Sequence, residues 1–255
     1  MAKESVKHTV LVALSLCLVC SVIVAGAAVG LRDMQQANKL KDKKTNILKA
    51  AGLYEKGVSV EEQFKSVTTK IVDMESGKFT DAVDATTYDQ RKSSKDPQLS
   101  VDLDDEQDIA KIGRRVKYAT IYMVEDENGI EKVILPIKGY GLWSTLYGFV
   151  ALENDFNTVA GLGFYEHGET PGLGGEVDNP LWKAKWIGKK IYENGEAKIS
   201  VIKGSVDESK PQATYQVDGL SGATLTSKGV NNLVQFWMGD NGFAPFLANL
   251  KAGEA

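Results

Sequence analysis

From Thr9 to Leu31 the chain carries no charged residue, and this run sets how everything after it can be arranged. An α-helix rises 1.5 Å per residue, so about 23 apolar residues cross a ~30 Å hydrocarbon layer with slight tilt. The run, residues 9–31, reads as one transmembrane helix behind a short tail, residues 1–8. A cleaved signal peptide is the rival reading: Lys3 and Lys7 make a positive start, and Ala25-Gly-Ala27 resembles a small-residue cleavage site. The run continues through Ala28, Val29, Gly30 and Leu31, longer than a leader needs, which favours retention. Lys3 and Lys7 are balanced by Arg32, Lys39 and Lys41, so the charge count gives no orientation. Gly26 and Gly30 lie four apart on one helical face, either a packing surface for a second membrane helix or the small residues common in such spans.

The chain has enough residues for this short membrane segment and one substantial soluble domain. The chain of 255 residues is 43% apolar and 25% charged, with a net charge of −4. Its signs are interspersed and no basic stripe appears, which disfavours nucleic acid as a partner. Both cysteines, Cys17 and Cys20, lie inside the apolar run, so the soluble part has neither a disulfide nor an iron–sulfur cluster of its own. His8 and His167 are the only histidines, too few to complete a metal site around the C-x-x-C pair, and no metal is expected.

The fold class predicted is α+β: the single membrane helix, a helical stalk over residues 32–56, and a soluble domain over 57–255 with antiparallel hairpins and flanking helices. Arg32 to Ala51 is polar, with only loosely periodic apolar residues, which fits the stalk. Ser59-Val-Glu-Glu62 has the form of a capping box and predicts a short helix through Phe64 and Val67. Asp89 to Asp105 reads as an exposed loop. Two apolar runs, 118–124 and 131–137, flank Glu127-Asn-Gly129 and predict a hairpin; 143–152 and 158–165 predict a second around Asn154-Asp-Phe-Asn157. Asp178-Asn-Pro180 opens a helix bearing Trp182 and Trp186, and Lys198 to Lys203 reads as a strand. A helix follows Ser221, and another spans 244–250. No βαβ series is visible, which argues against a Rossmann fold.

Three segments have the residue types to hold a ligand. Asp218-Gly-Leu-Ser-Gly-Ala-Thr224-Leu-Thr226 places hydroxyls and an acid at a helix start, where unpaired N–H groups and the dipole suit a phosphate. Ser221, Thr224 and Thr226 are the candidate hydroxyls, and an ordinary N-cap is the alternative. Lys228, one turn on, is either a counter-charge to that phosphate or a solvated lysine. Glu166-His-Gly-Glu-Thr-Pro-Gly-Leu-Gly-Gly175 is turn-rich and lets backbone approach a planar ligand, with Thr170 offering a hydroxyl and Leu173 an apolar contact; a plain connection is the alternative. In Lys138-Gly-Tyr-Gly-Leu-Trp-Ser144, Trp143 is expected at a strand start, either walling a ring or in the core. His167 lacks a nucleophile or a second ligand and reads as a solvent-facing or hydrogen-bonding residue.

Asp-x-x-Ser-Gly-Ala-Thr resembles the flavinylation motif of the FMN-binding domains of sodium-translocating NADH:quinone reductases and their RNF relatives. The N-terminal anchor, the Glu169-Thr-Pro-Gly-Leu-Gly174 run and the C-terminal helix occur in that family's order, so the resemblance spans essentially the whole chain and is greatest to the family of the reductase's C subunit. It implies FMN joined by a phosphoester bond to Thr224, with Asp218 at the acidic position the attaching flavin transferase needs. Ser221, Gly222, Ala223, Thr226 and Lys228 would surround the attachment. Trp143, Glu169, Thr170, Pro171, Gly172, Leu173 and Gly174 would line the ring, within an FMN-binding core of about residues 118–255. It further implies an electron-relay subunit of a sodium pump running from NADH to ubiquinone. Its partners would be flavin-bearing and metal-bearing membrane subunits and the surrounding lipid, in a bacterial inner membrane with the domain on the periplasmic side. No residue would act as general acid, base or nucleophile during turnover. The RNF counterpart and a redox-inactive, membrane-tethered scaffold are the alternatives.

Overall fold

The computed structural model describes residues 5–127 and 129–255; Met1 to Glu4, including Lys3 of the tail, and Asn128 of the first hairpin turn lie outside the described residues. Two units are distinguished, residues 1–43 and 44–255. In the first, helix α1, Val6–Gly30, is long and apolar enough to cross a membrane, and none of its residues is buried. Its uncharged centre and uniform exposure give it no face that a soluble core would cover. Helix α2, Arg32–Ala50, follows after Leu31.

The larger unit is built on one antiparallel sheet. Its strands are β1, Val67–Asp73, β2, Lys78–Phe79, β3, Tyr118–Asp126, β4, Gly129–Tyr140, β5, Thr145–Glu153, and β6, Val159–Glu166, in the spatial order β2-β1-β3-β4-β5-β6. Both predicted hairpins form, β3 with β4 and β5 with β6. Alternation along the strands divides two cores. Ala119, Ile121 and Met123, with Val133, Leu135, Ile137, Val150 and Leu152, face a cluster containing Trp186, Trp237 and Phe243. Tyr122, Val124, Ile134, Phe149 and Ala151 face the other way, onto Ile47, Leu48, Ala50 and Ala51 at the end of α2. The predicted polar stalk therefore ends as core: Leu48 is fully buried, and Gly161 lies so close that a Cβ there would stand 2.4 Å from the Ala50 carbonyl oxygen.

Helix α3, Thr224–Met238, covers the first face, and α4, Ala244–Ala252, follows it. Glycines set how closely α3 can lie on β4. A Cβ at Gly229 would stand 2.5 Å from the Tyr140 carbonyl oxygen, and one at Gly139 would stand 2.3 Å from Leu233 Cβ. Trp237 adds a hydrogen bond from Nε1 to the Lys138 carbonyl oxygen at 2.7 Å. The start of α3 is thereby pressed against the end of β4, where the candidate ligand loops converge.

Four local expectations are corrected. The Ser59 capping box does not form: the helix covers only Val60–Gln63, a 3₁₀ turn spans Phe64–Ser66, and Val67 opens β1. Strand pairing with β3 along the whole of β1 ends the helical run before Val67. Residues 89–105 are not a plain loop: the Asp89 carboxylate caps Gln90–Ser93, and Ser100–Asp102 pairs with Arg114–Val116. The strand expected over 198–203 is only Ser200–Val201, parallel to Gln216–Val217. Trp143 precedes β5 instead of starting it, in a loop between β4 and β5.

Gly→Ala in a helix interior ordinarily stabilises by about 1 kcal/mol. At Gly229 the clash with β4 outweighs that gain, and Gly229→Ala is expected to destabilise the domain by about 1–3 kcal/mol. Denaturant unfolding of the full chain in detergent checks the sign; a gain in stability would show that α3 does not lie this close to the sheet.

Candidate functional site

The centre of the site is the Glu169 carboxylate, 5% exposed. One oxygen accepts the backbone N–H groups of Leu142, Trp143 and Ser144 at 3.1, 3.0 and 3.3 Å. The other accepts the Thr226 hydroxyl at 2.6 Å and the Leu142 N–H at 3.3 Å. Three successive N–H groups turned inward form a nest for an anion, and here the chain's own carboxylate fills it. Glycines make the closure possible: a Cβ at Gly141 would lie 2.6 Å from Glu169 Oε1, and one at Gly174 would lie 2.5 Å from Thr226 Oγ1. Burial works against ionisation of Glu169, but the Thr226 hydroxyl and the three N–H donors outweigh it and hold the carboxyl below its ordinary range.

Around this centre the loop Glu169–Gly175 is a defined turn. The Thr170 carbonyl oxygen accepts the Leu173 and Gly175 N–H groups at 3.1 and 2.8 Å, and Gly172 has φ +75°. Pro171 followed by a left-handed glycine suits a type II turn. Pro171 and Thr170 are exposed, as is Leu173. Leu173 lies against the next segment, 3.1 Å from where a Cβ of Gly222 would stand, and Gly222 itself has φ +71°. His167 is hydrogen-bonded: its Nδ1 accepts the Glu169 N–H at 3.2 Å, which leaves Nε2 to donate to Asp178 at 2.8 Å. Ser144 Oγ accepts the Gly168 N–H at 2.6 Å, tying the two loops together again.

The hydroxyls of the Ser-Gly-Ala-Thr run separate sharply. Thr226 is 1% exposed and committed to Glu169, whereas Thr224 is exposed as the first residue of α3. Ala223 occupies the N-cap position and no side chain caps the helix, so the ordinary-cap reading of Ser221 or Thr224 is not realised. Among the described residues no side chain accepts from the first N–H groups of α3, at Thr224 to Thr226, which suits them to an external acceptor. Ser221, Gly222 and Lys228 are also exposed, and Ala223 is buried. Leu142, Trp143, Leu173 and Leu225, all exposed and apolar, lie in the segments that meet at Glu169 or are next in sequence to a residue bonded to it. At 66% exposure Trp143 is not core, which excludes one of the two roles expected for it.

Asp218 is held at the other end of the run. One carboxylate oxygen accepts the Val206 N–H at 2.7 Å and the other pairs with Lys185. Its backbone oxygen accepts Trp182 Nε1 at 2.8 Å. Burial raises its pKa, and the Lys185 and Val206 donors overcome that to hold it below the ordinary value. Lys185, Trp182, Val206 and Ser144 carry no short-range motif that would have joined them to the site by sequence; the contacts between Lys185 and Asp218 and between Trp182 and Asp218 span more than thirty residues.

The family model of the FMN-binding domain matches residues 141–239, which include every candidate residue from Trp143 to Lys228. The C subunit of the Na(+)-translocating NADH-quinone reductase of Pseudomonas aeruginosa is 58% identical over 258 residues, covering 99% of each chain. This chain belongs to the C-subunit family of the Na(+)-translocating NADH-quinone reductases. The Vibrio alginolyticus member is 50% identical, over 98% of this chain and 97% of its own. The crystal structure of Shewanella oneidensis NqrC superposes with a TM-score of 0.77 at 37% identity, covering 85% of this chain and 99% of that one. A second crystal structure from the family, that of the Parabacteroides distasonis protein, gives 0.65 at 29% identity, covering 85% of this chain and 96% of that one.

A Gln at position 169 keeps one acceptor but turns its amide nitrogen toward donors, so Glu169→Gln is expected to cost about 1–3 kcal/mol and loosen Leu142 to Ser144. Because the folded pKa is depressed, the carboxylate's contribution is full above about pH 4.3 and is lost as pH falls through the lower folded value. Amide hydrogen exchange of Leu142, Trp143 and Ser144 should show that acid limb in the native chain. It should show faster exchange, without the limb, in Glu169→Gln.

Proposed function

We propose that this chain is the electron-relay subunit of a membrane-bound, sodium-translocating NADH:ubiquinone reductase, with FMN carried on Thr224 through a phosphoester bond. The observation carrying this reading is the division of labour between two threonines: Thr226 is locked onto Glu169, while Thr224 stands exposed on a helix start that no side chain caps. The residues present fit the group. Gly222 leaves room beside Leu173, the first-turn N–H groups and positive helix end suit a phosphate, and Leu142, Trp143, Leu173 and Leu225 offer apolar surface to a flat ring.

In attachment, Thr224 Oγ forms a bond to the flavin-side phosphorus of an FMN phosphoanhydride. The phosphoanhydride P–O bond breaks, a nucleoside monophosphate leaves, and the hydroxyl proton passes to the transferase or to water; nothing is oxidised or reduced. Asp218 would be the acid the transferase requires. Ser221 and Ala223 would border the ester, and Lys228 would lie one turn along the same helix. FMN, when bound, supplies reversible redox chemistry. The protein's part is to fix the attachment point, to back it with the rigid Glu169–Thr226 hub, and to present Trp143, Thr170, Pro171, Gly172, Leu173 and Gly174 beside the ring. No side chain is required as a general acid or base during turnover.

The family's membership of a multisubunit complex supports flavin-bearing and metal-bearing membrane subunits as electron partners. The apolar helix α1 supports anchoring in lipid, in the bacterial inner membrane, and we assign the domain to the periplasmic side. The reductase assignment is preferred over an RNF complex because relatives aligned over 97–99% of their own length carry the reductase name.

Co-expression of the chain with a flavin transferase, followed by peptide mass analysis and in-gel fluorescence under denaturing conditions, tests the attachment. An FMN-sized addition on the peptide containing Thr224 is expected. Thr224→Val should abolish it, and Thr226→Val should leave flavin on Thr224. Flavin retained in Thr224→Val would overturn the assignment.

A further inference from the structure

Asp218 precedes the attachment point by six residues and is restrained on three sides. Trp182 Nε1 holds its backbone oxygen at 2.8 Å, the Val206 N–H holds one carboxylate oxygen at 2.7 Å, and the Lys185 ammonium holds the other. Trp182 and Lys185 come from one short segment: Trp182 lies in the helix Pro180–Ala184, and Lys185 is its C-terminal cap. The same segment therefore clamps both the main chain and the side chain at the start of the acceptor run. Farther along, the Leu220 N–H donates to Ser227 Oγ at 2.8 Å, and Leu173 lies against Gly222. The run is fixed at both ends while Thr224 stays open.

The pair is asymmetric. The Asp218 side chain is 16% exposed and that of Lys185 48%, so the ammonium forms the outer side of the pair. A half-exposed ion pair contributes little net stability, so fold stability alone gives weak reason for its geometry. A restrained cation beside an acceptor loop has a chemical use in phosphoryl transfer, where catalysis rests on positioning and on stabilising charge around phosphorus.

Building on the function proposed above, we infer that Lys185 is a positioning residue for loading Thr224. Through its ion pair it holds the Asp218 carboxylate and the acceptor run in the orientation that the incoming phosphoanhydride and its transferase require. It acts through Asp218; the bond made is Thr224 Oγ–P and the bond broken is the phosphoanhydride P–O.

The test measures the initial rate of covalent flavin incorporation into the detergent-solubilised full chain, using purified transferase and flavin adenine dinucleotide. Native chain, Lys185→Gln, Lys185→Arg and Lys183→Gln are compared, each with its thermal unfolding midpoint. Lys183, in the same short helix, makes only a 3.9 Å contact with Asp178 and serves as the charge-loss control. Lys185→Gln is expected to load about tenfold more slowly or worse. Lys185→Arg should recover most of the rate, and Lys183→Gln should match the native chain. Loading of Lys185→Gln at the native rate would overturn the inference while leaving the Thr224 assignment intact, and so would Lys185→Arg as slow as Lys185→Gln. A native chain that takes no flavin from an active transferase would overturn both. If Lys185→Gln also melts early, the Arg variant decides, because it keeps the charge and the fold.

Discussion

The buried carboxylate of Glu169 is the contact on which the geometry of the site depends. It gathers three backbone N–H groups from the loop after β4 and one hydroxyl from the first turn of α3. Charge-assisted hydrogen bonds of this kind contribute about 1.5–3 kcal/mol each, and removing the acceptor would leave buried donors unpaired. Two structural consequences follow from one side chain. The loop carrying Trp143 is held with its indole outward, and Thr226 is withdrawn from chemistry, which leaves Thr224 as the accessible threonine at the helix start.

That hub depends on close backbone approach. Gly229 and Gly139 bring α3 onto β4, while Gly141 and Gly174 leave room around the carboxylate. The sheet supplies the rigid base, since its two faces are buried by different partners, the tryptophan-rich cluster on one side and the end of α2 on the other. The proposed attachment point, Thr224, is an accessible hydroxyl on this closely packed scaffold, which suits a relay carrier whose cofactor is to stay in a fixed place.

Much of this was legible in the sequence, and the part that was not has physical reasons. The hairpins showed because apolar runs and turn residues are local signals, and the span from Thr9 to Leu31 showed because the absence of charge is unambiguous. The FMN-binding domain was legible through resemblance, whereas residue types alone left three hydroxyls open. Burial separates two of them, and burial is a tertiary property. Strand β1 was obscured because the short helix opening after Ser59 runs through a 3₁₀ turn directly into it, and the pairing of β1 with β3 spans some fifty residues. Ile47 and Leu48 looked too sparse to be core, since their partners lie on strands far along the chain. Lys185 was invisible for the same reason: an ion pair between positions 185 and 218 leaves no periodic trace.

Phosphorus-31 NMR of the flavin-loaded full chain reads directly whether a single covalent phosphoester stands at the start of α3. A phosphate esterified to both flavin and Thr224 is a diester and has lost the second ionisation that a monoester shows near pH 6. The expected result is one protein-bound resonance whose shift stays constant between about pH 5 and pH 8 and which remains with the chain after denaturation. A resonance that titrates near pH 6 and separates from the unfolded chain would mean reversibly bound FMN and no ester at Thr224.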